Sequence, residues 1–190
     1  MRASLKIALL FAGIWFLGKM IFFYAQVFQN PDGVKFLVMW NILCLLLGMS
    51  IGTLLEKRTE DRSQSSALGD IKSAMSGGMI YTVIVSLLLY TYYAKIDTGY
   101  NERQIIVAEG AIQKAIDDPK QLKEIKEFRP EYGALTKEEI FQEMSKSPKA
   151  MFSPGSTMTL SLLGMLLLTT INAIVLTVIY RRVLFKQRTL

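Results

Sequence analysis

The sequence predicts an all-α polytopic membrane protein. Four transmembrane helices, both termini cytoplasmic and a helical extracytoplasmic insert between helices three and four are expected. Three observations carry this reading. Hydrophobic residues make up 51% of the 190 positions and gather in four long runs. Each run meets the roughly 20 apolar residues that cross a bilayer core, and backbone groups in lipid must pair within the segment, which dictates helices. Basic residues cluster at alternate connections, as orientation by cytoplasmic Lys and Arg requires.

Residues 1–55 form a predicted helical hairpin, with spans at Leu5–Phe28 and Val34–Leu55. Pro31-Asp32-Gly33 reads as a tight turn between them. Arg2 and Lys6 before an apolar run also fit a signal sequence. The run is longer than an ordinary signal core and "AQVF" is a poor cleavage match, so a structural span is expected. Residues 56–70, "EKRTEDRSQSSALGD", are polar, Ser-rich and charged with both signs, a flexible cytoplasmic loop. Helix three occupies 71–95 and helix four 158–183, and 184–190 is a basic cytoplasmic tail. Tyr90, Tyr92, Tyr93 and Tyr100, and Phe22, Phe23, Tyr24 and Phe28, sit where interfacial aromatic belts belong.

The insert, residues 96–157, is too long for a plain connection. Ile105, Ala108, Ile112 and Ile116 recur at helical spacing within 101–117. Pro119 starts a second short helix with Leu122, Ile125 and Phe128 on one side, and Pro130 ends it. Thr136 and Glu139 form a capping box before a third helix. Pro148 and Pro154 are expected to bracket the return to the membrane. Nine basic and eleven acidic residues leave this segment near neutral, the pattern of a small helical cap that can double as a docking surface.

Composition narrows the chemistry. Cys44 is the single cysteine and there is no histidine. An intramolecular disulfide, a cysteine-built metal site and the commonest general base are thereby removed. A net charge of +6, spread along the chain, does not describe a nucleic-acid binder. "SGG" at Ser76–Gly78 has no phosphate-loop context. Asp32, Glu56, Asp70 and Asp97 flank the spans instead of entering their centres, so a coupled-ion transporter is disfavoured. Asp97, Glu102 and Arg103 read as surface charge. No catalytic residue, cofactor or metal is expected.

Helix-packing signals are stronger. Gly48 and Gly52 form G-x-x-x-G in helix two, and Ser73/Gly77 and Ala74/Gly78 repeat small residues at spacing four in helix three. Such faces let backbones approach closely. They would pack helices two and three on each other or receive a helix of another protein. Lys19, Asn41 and Asn172 are polar positions inside the spans, and Lys19 and Asn41 fall at similar depth. Lys19 is expected to snorkel toward the rim, or else to find an anionic partner in lipid or another protein. Together with the outer Lys95 it is a candidate for a lipid phosphate.

"DIKSAMSGGMIYTVIVSLLLYTYYAKIDTGYNERQI" has a small-residue entry and a Tyr-Tyr-x-x-Ile-Asp exit; "LTKEEI", "MFSPGSTMTLSLLGMLLL" and "IYRR" follow. This order of elements resembles a family of small four-helix Bacteroidota inner-membrane proteins catalogued as a domain of unknown function. The resemblance covers essentially the whole chain, most clearly Gly69–Arg182. It implies four spans with an insert before the last, and no catalytic residues. The expected role is a non-enzymatic inner-membrane subunit, a scaffold or accessory component of a larger complex. Its partner would be another integral membrane protein or a second copy, with phospholipid around it. The alternative is a protein that binds or transports a lipid or lipid-linked substrate, or assists a glycolipid-processing enzyme.

Overall fold

A computed structural model of the chain describes residues 3–26, 31–59 and 66–184. Its regular structure is helical throughout: α1 (Ala3–Tyr24), α2 (Pro31–Thr59), α3 (Ala67–Thr91), α4 (Tyr100–Asp117), α5 (Pro119–Phe128), α6 (Lys137–Met151) and α7 (Pro154–Ile179). Short π-helical turns follow α3 at Tyr92–Ile96 and α7 at Tyr180–Leu184. Among the described residues, four helices are long and apolar enough to cross a membrane: Ala3–Tyr24, Lys35–Arg58, Ala67–Ile96 and Pro154–Arg182.

Two sequence expectations are corrected at the connections. Pro31-Asp32-Gly33 is not a turn, because α2 begins at Pro31. Proline is well suited to a first helical position, where its missing N–H would have no intrahelical partner anyway. The loop expected over 56–70 is helical at both ends, since α2 runs to Thr59 and α3 starts at Ala67. Residues 60–65 of that loop, 27–30 of the first connection and 185–190 of the basic tail lie outside the described residues.

The chain divides into two compact units, Met1–Leu88 with Ser161–Leu190, and Leu89–Leu160. In the first, α1, α2, α3 and α7 form a bundle in which helices consecutive within it run in opposite directions. Phe22 meets Phe36 edge-on at 5.6 Å, Gly18 faces Trp40, and Phe11 and Ser4 face Gly48 and Gly52, so α1 and α2 are antiparallel. Thr82 meets Thr169 and Asp70 meets Arg181, so α3 and α7 are antiparallel too. Trp15, Leu45, Val85, Thr82, Thr169 and Ala173 are among the most buried residues of this bundle. The outward faces are apolar: Leu10, Leu17, Ile21, Met39, Leu167 and Ile171 are 55–69% exposed. A contiguous greasy exterior of this kind is costly in water and ordinary in lipid.

The second unit has its own core. Ile116 of α4, Tyr132 and Ile140 of α6 are buried, with Ile112, Leu122, Ile125 and Phe141 packed around them. Pro119 opens α5 behind Asp118, whose side chain accepts from the Lys120 amide at 2.9 Å. Thr136 caps α6 and exchanges hydrogen bonds with Glu139 in a full capping box. Pro148, expected to bracket the return to the membrane with Pro154, lies inside α6. The tyrosines after α3 also differ from a simple belt. Tyr92 and Tyr93 are buried, set edge-on at 5.1 Å, and Tyr93 stacks on Tyr100 at 4.4 Å. Burial raises the Tyr100 hydroxyl above its ordinary pKa, and the hydrogen bond with Tyr93 opposes that rise.

Candidate functional site

The most polar feature of the span bundle is an ion cluster that ties three helices at one end. Asp70 stands in the first turn of α3, Lys57 in the last turn of α2, and Arg181 in the π turn after α7. An acid at a helix start and bases at helix ends each complement the helix dipole, so local structure already favours these placements. Lys57 Nζ pairs with Asp70 Oδ1. Arg181 Nε donates to Asp70 Oδ2 at 2.7 Å. The Asp70 side chain is 5% exposed and that of Lys57 9%, while Arg181 keeps 35%. Beside them Ser73 donates to Glu56 Oε2 at 2.8 Å, and Tyr180 donates to the Ser50 carbonyl at 2.8 Å. The wider π turn brings Tyr180 and Arg181 round to α2 and α3 together. Two acids and two bases balance the charge. Such a cluster, once desolvated, fixes which helix ends meet more than it adds net stability.

Above it lies a layer of interhelical polar contacts. Tyr81 donates to Asn41 Oδ1 at 2.8 Å. Asn41 Nδ2 donates to Met165 Sδ at 3.4 Å, Asn172 Nδ2 donates to Met49 Sδ at 3.4 Å, and the hydroxyls of Thr82 and Thr169 lie 3.2 Å apart. Asn41 and Asn172 therefore lock α2 to α3 and α7.

The small residues close the remaining gaps, and their neighbours are not those of a simple α2–α3 contact. A Cβ on Gly48 would lie 3.4 Å from Phe11, and one on Gly52 3.1 Å from the Ser4 backbone, so the G-x-x-x-G face of α2 receives α1. Gly77 also faces Ser4, at 3.3 Å. Gly78 turns the other way, where a Cβ would come within 2.5 Å of Thr169 and 2.7 Å of Met49 Sδ. Ala74 is buried and Ser73 holds Glu56. "SGG" is thus a two-sided notch between α1 and the α2–α7 pair.

Lys19 is the clearest correction to a sequence expectation. It is 4% exposed, so it lies within the packing instead of snorkelling to a rim. Lys95 is exposed in the π turn after α3. Sequence reasoning misses the ion cluster, because its basic members serve equally well as orientation charges. The available signal is that three helix ends fall on one side of a membrane, where an acid among them must pair. Among the described residues, no group of three or more His, Cys, Asp or Glu is placed to hold a metal.

Fold and composition together point to a membrane protein with four candidate spans cross-tied by interhelical polar groups. The chain belongs to DUF4199, a family described as a protein of unknown function, which matches residues 6–182. No curated protein and no solved structure matches it.

Proposed function

We propose that this chain is a non-enzymatic subunit of a bacterial inner membrane, a scaffold or accessory component of a larger membrane complex. Both termini face the cytoplasm and the 96–157 insert faces outward. The carrying observation is the use made of the polar groups between the spans. Asp70, Lys57, Arg181, Asn41, Tyr81 and Asn172 all bond to a neighbouring span, which makes a rigid frame with an apolar exterior. Ile106, Val107 and Phe128, 61%, 61% and 87% exposed, give the insert apolar contact points of its own. Affinity capture at native expression in mild detergent tests the role. A stoichiometric membrane-protein partner or second copy is expected, and a clean monomer would contradict it.

Binding of a lipid or lipid-linked substrate is the alternative, favoured by two buried donors. The indole N–H groups of Trp15 and Trp40 are buried without an acceptor among the described residues. Trp40 Nε1 packs on Gly18, the residue that precedes the buried Lys19. Donors so placed suit an acceptor-only headgroup. Native lipid mass spectrometry on wild type and Lys19→Met decides, with unchanged lipid content counting against it.

A further inference from the structure

The insert carries a cavity that the scaffold role does not use. It has a volume of about 480 Å3 and is lined by Pro119, Leu122, Lys123, Lys126, Glu127 and Lys137, where α5 meets the start of α6. Residues 96–157 are acidic on balance, nine basic against eleven acidic, yet three lysines and one glutamate face this one hollow. Like charges gathered around a concave surface raise the local concentration of anions. Lys126 is held in place, its Nζ donating to the carbonyls of Gly133 at 3.4 Å and Leu135 at 3.3 Å, and Lys123 forms a solvent-exposed pair with Glu127 at 3.7 Å. Lys137 is the first residue of α6, directly after its Thr136 cap.

We propose that this cavity binds a hydroxylated phosphate ester. The lining set has lysines and no arginine. Ammonium groups are compact point charges that can meet the several oxygens of a phosphate from different directions. The hollow is open to solvent and wider than the anion alone needs. Pro119 and Leu122 supply an apolar wall for the carbon skeleton. Glu127 is the acceptor for its hydroxyls. Such an ester is either a lipid headgroup or a soluble sugar or polyol phosphate.

The full chain, in phosphatidylcholine nanodiscs, is titrated calorimetrically with glycerol 3-phosphate, inorganic phosphate and glycerol. Saturable binding of glycerol 3-phosphate is expected, tighter than that of inorganic phosphate, with none for glycerol. Lys123→Gln/Lys137→Gln should weaken it at least tenfold. Lys114→Gln/Lys146→Gln removes the same charge away from the cavity and should leave binding unchanged. Nanodiscs containing phosphatidylglycerol separate the sources: lost glycerol 3-phosphate binding assigns a lipid headgroup, and retained binding assigns a soluble ester. Absence of saturable binding for every phosphate probe, equal affinity in the Lys123/Lys137 variant, or equal weakening by the control pair would overturn the proposal.

Discussion

Asp70→Asn isolates what the ion cluster does. Asparagine keeps the shape of the side chain and removes its charge, which leaves Lys57 facing a neutral amide at 9% exposure. Breaking a desolvated pair by removing one partner costs about 3–5 kcal/mol. Arg181 retains 35% exposure and can turn to water, so the loss is set mainly by Lys57 and belongs near the lower end, about 3 kcal/mol. That is a large share of the roughly 5–15 kcal/mol typical of a folded protein. The assay is reversible unfolding in mixed micelles, followed by near-ultraviolet circular dichroism. Lys57→Met should cost less than Asp70→Asn, and the double variant should fall short of the sum by at least about 1 kcal/mol, as expected for side chains in contact. A loss under about 0.5 kcal/mol for Asp70→Asn, or a strictly additive cycle, would refute the reasoning that this cluster sets the register of α2, α3 and α7.

Gly78→Ala should destabilise the bundle by about 1–3 kcal/mol through overpacking against Thr169 and Met49, read by the same unfolding assay. Gly110 is the opposite case, since an added methyl would meet nothing within 4 Å. Gly110→Ala should stabilise α4 by about 0.5–1 kcal/mol through helix propensity, read as slower amide exchange. Tyr81→Phe should cost about 0.6–2 kcal/mol by leaving the Asn41 side-chain oxygen without its hydroxyl donor. In the insert, the Thr136 amide donating to Glu139, then its hydroxyl, hold the Glu139 carboxyl below its ordinary pKa. A lowered folded pKa means the cap contributes above the unfolded value and is lost as pH falls through the folded one. The Thr136 amide resonance should therefore titrate below the ordinary glutamate range, and a midpoint at or above that range would contradict the cap.

The spans are legible in the sequence because apolar length is a strong signal that no tertiary context overrides. So is the start of α6, since Thr136 and Glu139 specify their own partners three residues apart. Prolines are less informative. Pro31 and Pro148 both read as breaks, yet one opens a helix and the other sits inside one. A proline constrains its own φ and removes one donor, and only the surrounding packing decides what that does. Side-chain partners are the least legible. Asp70 and Arg181 are 111 positions apart, and Gly52 and Gly77 converge on the same serine. Spacing along one helix names a face but not the neighbour that fills it. Lys19 shows the same limit, because its depth is readable and its burial is not.

Photo-crosslinking in native membranes tests the central claim most directly. A photoreactive residue is placed at outward positions Leu17, Met39 and Leu167, and at the buried position Val85 as a control. The frame-subunit account predicts that at least one outward position yields a single discrete adduct to another membrane protein or a second copy, and that Val85 yields only intrachain products. Lipid adducts alone from every outward position would contradict it.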